Sequence, residues 1–191
     1  MTNDEVIDRF RKSGALLEGH FLLSSGLHSS VYLQCAIALQ ATRDAMAFGV
    51  AIADRVRERE IHTVASPAIG GLVIGYEVAR QLGVRFIWTE RENQIMTLRR
   101  GFTLRGGERL LVVEDVITTG GSTRDTIDVL QTAGGEVIAA ASIIDRSGGR
   151  ADVGVPRISL ATLDVAANSS DDCEACRRGE PVVKPGSRKK V

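Results

Sequence analysis

The stretch from Leu110 to Thr123, Leu-Leu-Val-Val-Glu-Asp-Val-Ile-Thr-Thr-Gly-Gly-Ser-Thr, constrains the fold more than any other part of the chain. Four apolar residues bounded by charge predict a short buried strand, and the residues from Ser122 to Leu130 predict a helix. Glu114 and Asp115 then stand at the carboxyl end of a strand. After them comes a loop of hydroxyls and glycines that opens onto a helix, whose unpaired N–H groups and positive dipole end favour an anion. A phosphate therefore belongs to Thr118, Thr119, Gly120, Gly121 and Ser122. The two acids would repel it, so they suit vicinal sugar hydroxyls or the waters of a Mg2+ ion. A phosphorylated sugar satisfies both ends of the stretch. The Lys of a P-loop is missing, and no G-x-G-x-x-G follows a strand, so nucleotide-triphosphate and dinucleotide fingerprints both fail.

The same pattern recurs along the chain. Strands are expected near residues 62–66, 84–88, 110–114 and 136–144, separated by helices over 43–60, 72–81 and 122–133, with a last strand over 158–163. This alternation predicts an α/β fold with a mainly parallel central sheet flanked by helices and right-handed crossovers. Met46, Phe48, Val50, Ile52, Ala53 and Val56 are read as the core side of the first of these helices. At the N-terminus, Thr2 and Glu5 form a capping box, and Val6, Phe10 and Leu16 give a helix one apolar side. Residues 19–34 read as a hairpin outside the alternating pattern. The expected boundaries are a hood over about 14–40, a core over about 41–168, together one domain, and a polar tail over 169–191.

Global properties exclude several function classes. With 24 acidic and 24 basic residues the formal net charge is zero, so nothing global draws the chain to nucleic acid or an anionic membrane. No apolar run approaches the roughly 20 residues that span a bilayer, and Met-Thr-Asn-Asp-Glu-Val is unlike a signal peptide; the expected location is cytoplasmic. Three cysteines are too few for a disulfide framework. Cys173 and Cys176 have the spacing of half a metal site. Cys35 and the three histidines show no matching spacing, however, so the expectation is a short helix with incidental cysteines.

Val112 to Ser122 resembles the 5-phosphoribosyl-1-pyrophosphate (PRPP) signature of type I phosphoribosyltransferases. The resemblance implies that Glu114 and Asp115 meet the ribose hydroxyls and an associated Mg2+ indirectly, through waters or PRPP. Val116, Ile117 and Thr118 to Ser122 would then wrap the 5′-phosphate. A second strand-glycine-helix junction, Ser66, Pro67, Ala68, Ile69, Gly70 and Gly71, is similar to the family's pyrophosphate loop. Phe21, Leu23, Ser25, Gly26 and Ser29 fall on the hood pattern of orotate phosphoribosyltransferases, with Ser24 where many members have Lys. That family's mobile catalytic loop, rich in Lys and carrying a His, corresponds to residues 89–102, which here hold neither. Arg91 is the nearest replacement for a catalytic Lys, with Arg99 and Arg100 as further pyrophosphate ligands. An arginine stabilises leaving-group charge but donates no proton.

Arg146, directly after the strand ending at Asp145, matches the family's carboxylate-binding arginine, and Thr118, Ser25 and Gly26 complete the orotate side. The resemblance covers nearly the whole chain and implies transfer of phosphoribose from PRPP to orotate, with Mg2+, by a homodimer acting in pyrimidine synthesis. It implies catalytic roles for Asp115, Glu114 and Arg91. Two alternatives stay open: a phosphoribosyltransferase for another nucleobase, and a regulator that senses PRPP without catalysis.

Overall fold

Hydrophobic alternation inside a central strand decides the layering. The computed structural model describes residues 1–23 and 26–185, so Ser24, Ser25 and residues 186–191 lie outside the described residues. In β6 (Arg109–Ile117), Leu111 and Val113 enter one apolar cluster while Leu110 and Val112 enter another on the opposite side. Successive strand residues face opposite ways, so both faces of this sheet must be covered. One face packs against α1 (Asn3–Lys12), α2 (Cys35–Leu39), α3 (Thr42–Val56) and α4 (Gly71–Leu82). The other carries α5 (Gly121–Thr132), which buries Ile127 and Leu130.

The six-stranded sheet has the order β5-β4-β3-β6-β7-β8. Its other members are β3 (Thr63–Pro67), β4 (Arg85–Glu92), β5 (Ile95–Leu98), β7 (Glu136–Asp145) and β8 (Arg157–Thr162). All neighbours are parallel except β4 and β5. The chain enters at β3, builds outward to β5, then returns to β3's other side with β6 and builds outward to β8. The strand order therefore reverses between β3 and β6, the place where ligands enter open α/β sheets.

A second sheet forms from β1 (Leu16–Leu22), β2 (His28–Leu33) and the short β9 (Ala167–Asn168). This is the expected hairpin, and β9 brings the end of the core onto it. The tail follows through the four-residue α6 (Glu174–Arg177) and returns along β1, where Leu22 N–H donates to Val183 O at 2.9 Å and Val183 N–H donates to His20 O at 2.8 Å.

Three sequence expectations need correction. Leu16 starts β1 instead of extending the apolar side of α1, because the helix ends at Ser13 and Gly14 turns the chain with φ 73°. The capping box itself is present, with Thr2 N–H to Glu5 Oε2 at 2.8 Å and Glu5 N–H to Thr2 Oγ1 at 3.3 Å. On α3 the buried stripe is Ala45, Phe48, Gly49, Ile52, Ala53 and Val56, whereas Met46 and Val50 are 44% and 38% exposed. The reason is close approach of α4: a Cβ on Gly49 would lie 2.8 Å from Glu77 Cβ, so the small residue faces the neighbour and Met46 and Val50 turn away. Finally, Glu114 and Asp115 lie within β6, which continues to Ile117 opposite Asp145. Residues 89–102 are mostly hairpin: Asn93 and Gln94, with φ 49° and 69°, turn β4 into β5.

Gly75 on α4 sits where a Cβ would overlap Ser66 Oγ and approach Phe86 Cε2 to 2.7 Å. Gly75→Ala should therefore destabilise the protein by about 1–3 kcal/mol through overpacking, read as a lower denaturation midpoint with an unchanged slope.

Candidate active site

The loops after β3 and β6 meet at the strand-order reversal, and their glycines let them touch. After β3 the chain passes through a cis Ala68–Ile69 peptide and Gly70 into α4. A Cβ on Gly70 would lie 2.9 and 3.0 Å from the Asp115 carboxylate oxygens, and one on Gly71 would lie 2.9 Å from Val113 O. Side chains at either place would push the two loops apart. Ser66 and Pro67 are buried at the end of β3, Ala68 N–H donates to Thr89 O at 2.7 Å, and Ile69 stands 84% exposed at the rim.

Against this loop lie the two acids. Glu114 accepts a short hydrogen bond from Thr123 Oγ1 on α5. Asp115 Oδ1 accepts from Val116 N–H at 2.8 Å, and the buried Cys35 thiol lies beside the same carboxylate. Burial pushes the Glu114 carboxyl up to about 7, against the pull of Thr123 and with a further push from Asp115. Burial also raises Asp115, and burial together with Asp115 raises the Cys35 thiol. Two neighbouring half-buried carboxyl groups thus stand short of compensating charge. Sugar hydroxyls, which donate hydrogen bonds, or a divalent cation would supply what water no longer does.

Beyond Ile117 the hydroxyl-glycine loop joins β6 to the start of α5, as expected of a strand followed by a helix. Thr118 and Thr119 are exposed, and Gly120 adopts φ 78° where a Cβ would lie 2.8 Å from Val153 Cγ1. The first intrahelical bond of α5, Arg124 N–H to Gly120 O at 2.9 Å, leaves the turn formed by Gly121, Ser122 and Thr123 with its N–H groups directed out of the helix end. Arg124 braces the loop by donating to Thr119 O at 3.2 Å and, with a shorter contact, to Asp152 O.

A cavity of about 1110 Å³ adjoins this loop, lined by Thr118, Thr119, Val116, Arg146 and, from the hood, Leu23, Leu27, Tyr32 and Leu33. Arg146 donates to Ser29 Oγ at 2.8 Å and Val31 O at 3.3 Å, so the hood holds the guanidinium in place. Burial lowers the Arg146 pKa, but a guanidinium remains charged. Its backbone is fixed as well: Arg146 N–H donates to Ile117 O at 2.8 Å, and the buried Asp145 accepts from Ser147 N–H at 2.7 Å, Gly149 N–H at 3.0 Å and Arg157. Burial alone would raise the Asp145 carboxyl; the Ser147 hydrogen bonds and Arg157 outweigh it and hold the group ionised. Gly26 forms the hood turn with φ 83°, while the neighbouring Leu23 and Leu27 reach the cavity.

The three arginines occupy different places. Arg91 pairs with Asp125 on the first turns of α5 at 2.7 Å and donates to Gln94 O at 2.9 Å; its charge is felt at Glu114. Arg99 pairs with Glu92 at 3.3 Å, and Arg100 binds Glu90 in bidentate fashion at 2.8 and 3.0 Å, holding that carboxyl below its ordinary range. Arg91 is therefore linked to α5, whereas Arg99 and Arg100 are turned toward acids of their own hairpin.

Sequence reasoning passed over Cys35, Thr123 and Arg124. Thr123 and Arg124 directly follow the recognised motif, and a buried acid two turns from a hydroxyl-bearing helix start is signal enough to ask what holds it. Cys35, 80 residues from Asp115 along the chain, carries no such local sign.

Comparison with known proteins identifies the chain's family and relatives. Residues 39–165 match the phosphoribosyl transferase domain family. The chain is 50% identical over 190 residues to an orotate phosphoribosyltransferase of Caldicellulosiruptor bescii, covering 100% of both chains. It is 49% identical to that of Pelotomaculum thermopropionicum, over 99% of this chain and 100% of the relative. Among solved structures, an orotate phosphoribosyltransferase from Aeropyrum pernix superposes with a TM-score of 0.69 at 30% identity, covering 83% of this chain and 93% of that one.

Because its carboxyl is raised in the folded protein, Glu114 opposes folding once the pH exceeds the unfolded value near 4.5, and fully so above about 7. Glu114→Gln should therefore be more stable than the parent protein at pH 8, by about 1–2 kcal/mol, and the difference should vanish toward pH 4. Urea denaturation across that range checks it.

Proposed function

The chain belongs to the phosphoribosyl transferase family, and from that premise we propose that it is an orotate phosphoribosyltransferase. In this reading it converts PRPP and orotate to orotidine 5′-phosphate and pyrophosphate in pyrimidine biosynthesis. The observation that carries the reading is the meeting of two kinds of group at one crevice: the carboxyl pair and anion loop, and a half-buried, hood-held Arg146 that lines the same cavity as Thr118 and Thr119. A sugar phosphate alone would need only the first. A planar base bearing a carboxylate also needs the second, since a guanidinium pairs bidentately with a carboxylate.

Catalysis in this arrangement is positioning and charge management. Thr118, Thr119, Gly120, Gly121 and Ser122 hold the 5′-phosphate, which fixes the ribose over β6. Glu114 and Asp115 accept hydrogen bonds from the ribose hydroxyls, and their charge favours the positive character that develops at the anomeric carbon as its bond to pyrophosphate lengthens. Arg146, with Thr118 beside it, aligns orotate so that a ring nitrogen meets that carbon in line. Ser66 to Gly71 offers backbone to the departing pyrophosphate, and Arg91 neutralises part of its charge, with Arg99 and Arg100 able to join by leaving their hairpin acids. With no Lys or His in this hairpin, its contribution is electrostatic. The donor set also fits Mg2+: Glu114 and Asp115 would hold it indirectly, through waters or the ribose hydroxyls, and it would offset charge on the pyrophosphate.

We further propose a homodimer. Met46 and Val50 on α3, with Val73 and Tyr76 on the packed neighbour α4, expose apolar surface of the kind partner subunits cover. Hood, core and tail, over about 14–40, 41–168 and 169–191, would act as one unit on charged substrates confined to the cytoplasm.

The direct test mixes protein, PRPP, Mg2+ and orotate and follows loss of orotate absorbance. Turnover only with another base, or PRPP binding without turnover, would replace this reading. Asp115→Asn should lose almost all turnover with an unchanged fold; near-normal activity would remove Asp115 from the reaction. Arg146→Ala should raise the orotate KM by about 10- to 100-fold, as expected for loss of a charged hydrogen bond, while the PRPP KM moves far less. Equal rises in both would refute the carboxylate clamp.

A further inference from the structure

Four metal-ligating side chains from opposite ends of the chain converge behind the hood. His20 on β1, His28 at the start of β2, and Cys173 and Cys176 at α6 place their ligand atoms all within 4.8 Å of one another. Cys176 Sγ lies 3.2 Å from His28 Nδ1 and 3.6 Å from His20 Nε2, Cys173 Sγ lies 3.5 Å from His20 Nε2, and the two ring nitrogens are 2.7 Å apart. We propose that these residues bind a structural Zn2+ that fastens the tail to the hood.

The donor set favours zinc. Two thiolates and two imidazoles form a closed tetrahedral set, and Zn–S bonds of about 2.3 Å with Zn–N bonds of about 2.0–2.1 Å require ligand atoms roughly 3.3–3.8 Å apart. The sulfur–nitrogen separations already lie near that range, and the two rings need to part by only about half an ångström. His20 is also oriented for the task. Its Nδ1 is 3.0 Å from the Glu180 carbonyl, an acceptor only, so Nδ1 carries the proton and Nε2 presents its lone pair to the cluster. His20, His28 and Cys173 are buried, so the set lies in the shielded position of a structural centre.

A second observation says why the tail needs such a centre. Across residues 169–185, Cys173 is the one buried side chain, and it points at the histidines. Apolar packing therefore does little to hold this segment, yet it returns to β1 and forms two backbone hydrogen bonds there. Segments with so little core are commonly held by a metal or a disulfide. A Zn2+ here joins residues 153 positions apart in sequence and braces the hairpin that supplies Leu23, Leu27, Tyr32 and Leu33 to the base side of the cavity. The earlier expectation of incidental cysteines is thus replaced. The missing half-site lies in the hairpin, where the two histidines come into range only once β1 and β2 pair.

Untagged full-length protein, reconstituted with zinc under reducing conditions and dialysed into metal-free buffer, should retain about one zinc per chain by mass spectrometry of the metal. Cys176→Ser and His28→Ala should each lose it, whereas Cys35→Ser should keep it. Cobalt in place of zinc in the parent protein should give the intense visible bands of tetrahedral thiolate coordination, a measurement that needs no variant to fold. Failure to retain stoichiometric metal, cobalt bands of octahedral character, retention unaffected by either ligand substitution, or a Cys173–Cys176 disulfide in metal-free native protein would each overturn the proposal.

Discussion

The contact between the Asp115 carboxylate and Gly70 is the constraint around which the crevice is built. The strand order reverses between β3 and β6, so the two loops leaving those strands diverge onto helices on opposite faces. They can still share one ligand only if their backbones start close together. Gly70 and Gly71 permit that approach, which sets Gly70 against the Asp115 carboxylate and leaves Asp115 and Glu114 half-buried at successive positions of β6. The burial in turn raises both carboxyl groups, which makes the site receptive to hydroxyl donors and cations that would be indifferent to a solvated acid.

From that contact the remaining parts follow in layers. Thr123 and Cys35 hold Glu114 and Asp115 from α5 and α2, so each acid is positioned by a different face of the sheet. Asp145 does the equivalent for the loop that carries Arg146, and Ser29 brings in the hood. The crevice is therefore bounded by the core sheet and a separate small sheet, and the placement of the Arg146 guanidinium depends on how firmly the hood is seated. This gives the cluster of His20, His28, Cys173 and Cys176 a role in the architecture, since it lies at the junction where the tail meets the hood.

Much of this was legible from residues alone. The two acids after Leu-Leu-Val-Val, the hydroxyl-glycine loop and the helix that follows are local in sequence, and local order is what hydrogen bonding and periodicity report. The alternation of strands and helices led directly to a mainly parallel sheet, and the hairpin at residues 19–34 stood apart from it because its periodicity differs. Met46 and Val50 were misplaced for a physical reason: a hydrophobic residue one position off the buried stripe looks the same in sequence whether a neighbouring helix or solvent faces it.

Short-range devices could be read from the residues alone: the hydroxyl-glycine loop, the paired acids, the capping box at Thr2 and the arginine after the strand ending at Asp145. Each depends on groups within a few residues of one another. Tertiary structure alone decided which devices meet. It set Asp115 against Gly70 and Cys35, directed Arg91 toward α5 while Arg99 and Arg100 turned to Glu92 and Glu90, and gathered two histidines and two cysteines from the ends of the chain. Contacts of that kind depend on strand order and helix packing, and the buried apolar surface of the whole sheet, not the residues in contact, selects those.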